Sequence, residues 1–343
     1  MRYKLLGRSG VRVSELALGT MTFGEEWGWG ASKDESRRMF DAFVEAGGNF
    51  FDTANRYTEG TSEKLLSEFI ASDRERYVVA TKYTLQMRLG DPSFSGNHKK
   101  NMKQALEASL ERLGTDYVDL YWLHAWDFTT QVDEILRGLD DLVRQGKILY
   151  IGISDTPAWI VSQANTMADL RGWTPFTALQ LRYSLIDRTA ERELLPMARS
   201  FDLAVTPWSV IGAGVLSGKY NDPSSQATGR AKEGAAKVDR NSALAKEASA
   251  IATELGVTST QVAISWVRQQ KGVVIPLLGA RNLEQVRDNL GTLNVTLSPD
   301  HLARLDKASA IEPGFPHDFL GSDPIKALAY GGTYDLIDNH RTR

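Results

Sequence analysis

The chain has 343 residues, 42% of them hydrophobic, enough for a large core, and a formal net charge of −3 with its 40 lysines and arginines scattered. That balance argues against a nucleic-acid surface. The absence of cysteine excludes disulfides and thiolate chemistry and fits a reducing compartment.

Residues 2 to 13 read as a short hairpin turning at Gly7-Arg8-Ser9-Gly10. The opening Met1-Arg2-Tyr3-Lys4-Leu5-Leu6 lacks the apolar stretch of a signal peptide. No later run approaches the roughly 18 apolar residues needed to span a bilayer. A soluble, cytoplasmic protein without a membrane partner is therefore expected. Leu16-Ala17-Leu18 leads into Gly19-Thr20-Met21, a first parallel strand and its loop. A helix over about 33–46 follows, with Met39, Phe40 and Phe43 at helical spacing and Gly47-Gly48 as its stop.

The alternation then persists. Strands are predicted near 49–52, 77–81, 117–123, 148–153, 177–181, 203–207 and 273–276. Helices are predicted near 62–71, 98–113, 131–145, 157–170, 190–200, 258–270 and 282–290. Counting the first, there are eight strands, nearly all followed by a helix. This predicts an α/β fold closed into a (β/α)8 TIM barrel, with the hairpin plugging its floor. Between Tyr220 and Arg240 the periodicity lapses, predicting a long loop, and an extra helix is expected over about 241–255. Beyond Pro299 come one more helix and a tail containing glycines and aromatics. No linker-like stretch divides the chain, so one domain over 1–343 is expected.

The predicted edge of three successive strands collects chemistry. Asn49-Phe50-Phe51 ends at Asp52, with Tyr57 in the following loop; Tyr77 to Thr81 ends at Lys82; Tyr117 to Leu123 ends at His124. Singly, each has a bland reading. Asp52 could satisfy loop amides, Tyr57 could be half-buried packing, Lys82 a surface lysine and His124 a rim histidine. Jointly, an acid, a phenol, an amine and an imidazole on one edge suit proton transfer coupled to carbonyl reduction. A free phenol titrates near ~10, too high for an efficient donor at neutral pH. A nearby cation would lower that value, which suits Lys82, and Asp52 would hold the ammonium charged. His124 would orient the substrate oxygen or assist the proton. The five histidines have no metal-ligand spacing, so no metal is expected.

Asp52, Tyr57, Lys82 and His124 resemble the catalytic tetrad of the aldo-keto reductases, and the likeness runs from Tyr3-Lys4-Leu5-Leu6-Gly7 to Leu290. Gly152-Ile153-Ser154-Asp155-Thr156-Pro157-Ala158-Trp159 resembles the aryl-alcohol-dehydrogenase-like branch. The resemblance implies a nicotinamide cofactor at the top of the barrel. Trp208, within Pro207-Trp208-Ser209-Val210, ends a strand where a flat ring could stack. Ser154, Asp155 and Gln180 are candidate partners of its carboxamide, although relatives often carry Asn after the serine. Gly212-x-Gly214-x-x-x-Gly218 superficially resembles a Rossmann turn, but its spacing and late position exclude that reading. Instead Leu216-Ser217-Gly218-Lys219-Tyr220, with Gly212 before it and Arg230 beyond, resembles the family's pyrophosphate strap. Gly279 and Arg281 open a helix carrying Gln285, Asp288 and Asn289; a helix start offers amides to a phosphate. Arg281 there suits a 2′-phosphate, hence NADPH/NADP+ over NADH. Gly19, Thr20 and Met21 resemble the remaining cofactor neighbours.

For the substrate, Trp27, Trp29, Met87-Arg88-Leu89, Trp126 and the tail aromatics Phe315, Phe319 and Tyr330 would give an aromatic pocket favouring aryl or apolar carbonyl compounds. Two other readings stay open. One is a nicotinamide-binding regulatory subunit resembling the potassium channel β subunits, in which the histidine position is replaced. The other is a (β/α)8 lyase or isomerase without a nicotinamide. Assembly as a homo-oligomer is open, since relatives in this branch include assembled and monomeric forms.

Overall fold

The computed structural model describes residues 1–217 and 239–339. They fall into two compact units, Met1–Ser309 and a second beginning at Ala310. The first opens on an antiparallel hairpin of β1 (Tyr3–Leu5) and β2 (Arg12–Ser14). Eight parallel strands follow: β3 (Ala17–Gly19), β4 (Phe50–Asp52), β5 (Val78–Tyr83), β6 (Val118–Leu123), β7 (Ile148–Ser154), β8 (Ala178–Arg182), β9 (Ala204–Trp208) and β10 (Leu277–Leu278). They lie side by side in chain order, and β10 returns to pair with β3. Val205 bridges to Val274, just ahead of β10, through Val205 N–H to Val273 O (2.7 Å) and Ile275 N–H to Val205 O (2.8 Å). Those bonds complete the ring, and the expected (β/α)8 barrel is present. The regular strand expected at 273–276 forms at Leu277–Leu278 instead: residues 273–275 serve the β9 side and Leu277–Leu278 the β3 side.

The helices around the first strands are α1 (Lys33–Glu45), α2 (Thr61–Ile70), α3 (Lys99–Leu113) and α4 (Val132–Arg144). Next come α5 (Ala158–Arg171), α6 (Leu194–Ser200), α7 (Asp239–Leu255), α8 (Ser259–Arg268), α9 (Leu283–Leu290) and α10 (Pro299–Ala308). Helix α1 shows why the sequence settles here. Ser32 caps it by accepting from Glu35 N–H, and Met39, Phe40 and Phe43 form its buried stripe. Phe40 stacks on Phe51 of β4 at 4.8 Å between ring centroids, and Phe43 meets the same ring edge-on at 5.4 Å. Burying Phe51 this way contributes about 1.5–3 kcal/mol.

The strand period of two then sends Phe51's neighbours the other way. Phe50, Val78, Ala80, Leu120, Trp122, Ala178, Ala204 and Ile275 form a second core with Leu6 and Val13 of the hairpin. Asp52 and Lys82 are two residues beyond Phe50 and Ala80, on the same strand face. The hairpin seats at the opposite end: Gly7, at φ +56°, lies where a Cβ would fall 2.3 Å from Thr177 O, and Arg8 N–H donates to Asp202 O (2.8 Å).

The second unit contains α11 (His317–Gly321) and α12 (Asp323–Tyr330), neither with a buried residue. Its Phe315, Phe319 and Tyr330 are exposed. Among the described residues no helix is long and apolar enough to cross a membrane.

Candidate active site

The end of β4 pairs in register with β5, Asp52 opposite Ala80, and the chain beyond continues that ladder: Thr53 N–H donates to Ala80 O (2.8 Å) and Asn55 N–H to Lys82 O (3.2 Å). A 3-10 turn at Tyr57–Gly60 follows, with Thr58 and Glu59 at φ +44° and +55°. This path brings Tyr57 back over the strand ends. Lys82, fully buried, donates its ammonium protons to the Asp52 carboxylate, to Thr53 O (2.8 Å) and to the Tyr57 hydroxyl (3.1 Å). Asp52 accepts a further bond from Gln180 Nε2 (3.1 Å), so its second oxygen is also held. The His124 ring meets Tyr57 edge-on at 5.9 Å. All four residues expected on this edge are brought together.

Their electrostatics follow from burial and contact. Burial works against the Lys82 charge, but Asp52 and Tyr57 more than offset it, and its pKa is raised. Burial and the Lys82 charge both lower the His124 pKa well below the ordinary imidazole value, so the ring is neutral at pH 7. Tyr57 departs from expectation. Lys82 does draw the phenol's pKa down, but burial outweighs it, with Asp52 adding to the upward push, and the net shift is upward. The phenol is therefore fully protonated at neutral pH.

Above this cluster the loop before α1 contributes aromatics. Trp27 lies edge-on to Tyr57 at 6.4 Å and tilted on Trp29 at 5.5 Å. Trp27 Nε1 donates to Glu59 (3.2 Å), and Arg56, which pairs with Glu59, lies 5.9 Å from the Trp27 ring centroid. Neither Arg56 nor Glu59 was singled out in the sequence; no local pattern signals a support for a tryptophan 32 residues away. Trp126 is half-buried against the core and donates its amide to Asp155 O (3.4 Å). Among the described residues no ring contact joins it to Tyr57.

Across the rim the strand ends hold a different set. Ser154 pairs with Gln180, and its hydroxyl is buried without a hydrogen-bond partner. Trp208 Nε1 donates to Asp155 Oδ1 (3.1 Å), and Arg182 lies 5.7 Å from that indole ring. Ser209 takes φ +58° and Val210 is buried. Gly212, at φ +58°, packs where a Cβ would come within 2.3 Å of Ile186, so its bareness serves a packed turn. Gly19 lies against β10, Thr20 bonds to Asp52 O and Ser62, and Met21 is half-buried. Gly218, Lys219 and Arg230 lie outside the described residues.

The start of α9 differs from the free-amide expectation. Arg281 N–H donates to Gln285 Oε1, Leu283 N–H to Glu35, and Gln285 N–H to the capping Asn282. Asp288 accepts from Thr258 and Gln261 of the α8 region, and Asn289 donates to Gly279 O. The Leu283 and Gln285 amides of the first turn are thus engaged by α1 and by the helix's own cap. Exposed Gly279 has open space around it, and the Arg281 guanidinium makes no hydrogen bond or ion pair among the described residues.

Sequence comparison agrees with this geometry. The profile described as the aldo/keto reductase family matches residues 15–310. The chain belongs to that family. Norsolorinic acid reductase of Aspergillus flavus is 37% identical over 336 residues, covering 94% of this chain and 84% of that protein. An aryl-alcohol dehydrogenase of Pestalotiopsis microspora is 38% identical, covering 98% and 91%. The aryl-alcohol dehydrogenase [NADP(+)] of Phanerodontia chrysosporium is 36% identical, covering 96% and 89%. These relatives place the chain in the aryl-alcohol-dehydrogenase-like branch, among oxidoreductases of a family that uses nicotinamide cofactors.

An aldo/keto reductase needs polar and aromatic partners for that cofactor, and the rim offers them. The unpartnered buried Ser154 hydroxyl is a group awaiting a ligand bond. The half-buried Trp208 indole beside it presents an aromatic surface, and Arg281 is an uncommitted cation. These residues fit a nicotinamide and a phosphate. Among the described residues no cluster of acidic and histidine side chains could hold a metal ion.

Proposed function

We propose that the chain reduces aldehydes or ketones, aryl or apolar, with NADPH, and that Tyr57 supplies the proton. The observation that carries this reading is the buried Lys82 ammonium bonded at once to Asp52, Thr53 and the Tyr57 hydroxyl. The bound nicotinamide supplies the hydride. Tyr57, kept protonated by burial, gives its proton to the developing alkoxide at its hydroxyl, and the positive Lys82 stabilises the phenolate left behind. Asp52, fixed by Gln180, keeps Lys82 charged and in place. Neutral His124 offers a hydrogen bond to the carbonyl oxygen without adding a competing charge. Ser154 and Trp208 would hold the nicotinamide, and Arg281 the 2′-phosphate. Trp27 and Trp29 would wall the substrate side, which favours flat apolar carbonyl compounds.

The relatives named for aryl-alcohol and norsolorinic acid chemistry support this substrate class. The test is a fluorescence titration with NADPH and NADH, followed by absorbance decay at saturating NADPH with 4-nitrobenzaldehyde. Binding with turnover is expected. Binding without turnover across an aldehyde panel would point to a regulatory nicotinamide-binding subunit, and no binding would overturn the reading.

A further inference from the structure

Members of the family often carry Asn after the serine, and this chain has Asp155. Its carboxylate is already engaged: Oδ1 accepts the Trp208 indole N–H at 3.1 Å. That bond joins the end of β7 to the end of β9 across β8. Asp155 reaches it from φ +42°, a left-handed conformation that Asp and Asn tolerate better than most residues, and its amide is fixed by Gln180 O (3.1 Å). An indole N–H can only donate, so a carboxylate is a strong anchor for it. Ser209, directly after the indole, is also left-handed at φ +58°. The bond therefore links a left-handed Asp155 to an indole whose next residue, Ser209, is left-handed too.

The geometry points to Asp155 as a positioning residue that pins the Trp208 indole as the nicotinamide's stacking surface and favours the oxidised, cationic ring through its charge. This rests on the functional reading above. The oxidised nicotinamide carries a positive charge and the reduced one does not, so a carboxylate beside the stacking surface distinguishes them. The charged groups around it are Lys82 from β5 and Arg182 from β8, the latter paired with Asp187 at 2.6 Å. Packing around the Asp155 carboxyl raises its pKa, with the Trp208 N–H, Lys82 and Arg182 opposing without cancelling.

Two substitutions separate pinning from charge. Asp155→Asn keeps an oxygen acceptor and the tolerated backbone but removes the charge. Asp155→Gly keeps the backbone conformation and removes both. The first readout needs no cofactor: nitrogen–proton NMR of the indole groups, with Trp208→Phe identifying the Trp208 resonance. In the unmodified protein that resonance should move as pH falls through the carboxylate range. It should become insensitive to pH in Asp155→Asn and move toward the free-indole position in Asp155→Gly. A Trp208 resonance indifferent to both substitutions would overturn the pinning.

The second readout is nucleotide titration. Asp155→Asn should weaken NADP+ more than NADPH, by on the order of fivefold, as expected for one charge at close range in a solvated rim. Asp155→Gly should weaken both. Unchanged constants in both variants, with the unmodified protein binding normally, would overturn this inference alone. An unmodified protein that binds neither nucleotide would overturn the functional reading and the cofactor part of this inference together, while the indole NMR would still decide the pinning.

Discussion

At the ends of β4, β5 and β8 the polar side chains bond to one another; from β7 and β9 to α9 they bond mostly to the scaffold. Lys82, Asp52, Tyr57 and Gln180 form one connected hydrogen-bonded set. Gln285, Asp288 and Asn289 stand where a ligand's phosphates were expected, yet each serves a cap, α8 or a loop carbonyl. Position on a barrel rim therefore identifies neighbours of the chemistry, and the hydrogen-bond inventory shows which groups are still available to a ligand. By that criterion Ser154 and Arg281 are the uncommitted members of the second set.

The contrast can be broken most sharply at Tyr57. Tyr57→Phe removes only the proton donor, so aldehyde reduction should fall about 10²–10⁴-fold with NADPH binding retained. Full turnover in that variant would remove Tyr57 from the chemistry. Lys82→Met should also abolish reduction, and it leaves Asp52 buried without its cation. Urea unfolding should show a loss of about 3–5 kcal/mol; an unchanged midpoint would mean Asp52 does not depend on Lys82. On the other side, Arg281→Ala should weaken NADPH roughly tenfold and leave NADH nearly unchanged, since a charge-assisted phosphate bond contributes about 1.5–3 kcal/mol. Equal weakening of both nucleotides would place the 2′-phosphate elsewhere.

Asp288→Ala sharpens the division further. It should lower stability by about 0.5–1.5 kcal/mol, because Thr258 loses its acceptor and Gln261 keeps only the Asp288 carbonyl oxygen, while NADPH affinity holds. A selective loss of NADPH affinity would return Asp288 to the cofactor. The smallest expected effect is the absence of one. Because His124 stays neutral, the pH profile of reduction should show no limb near ~6.5; it should fall only as the medium passes the raised Tyr57 pKa, above ~10. An inflection near neutrality that disappears in His124→Gln would mean the imidazole carries charge in the working enzyme.

Much of this was legible before any coordinates. The eightfold alternation, the period-two placement of Phe50 and Asp52, and the glycine at the hairpin turn depend on neighbours close in the chain, and local sequence encodes them. The same holds for an acid, an amine and an imidazole ending three consecutive strands. The final β-strand was misplaced by a few residues because its bounds depend on which of two neighbours, β9 or β3, each peptide meets.

What the sequence determined by itself was the barrel, through its regular alternation, and the candidate residues at the strand ends whose pattern resembles the family, because alternation and strand ends are local properties of the chain. Only the tertiary structure decided the rest: the upward shift of Tyr57, the neutral His124, the Asp155–Trp208 bond and the committed start of α9. They depend on partners brought in from 25 to 248 residues away, as in Lys82 to Tyr57 or Leu283 to Glu35, and such contacts exist only once the ring of strands has closed.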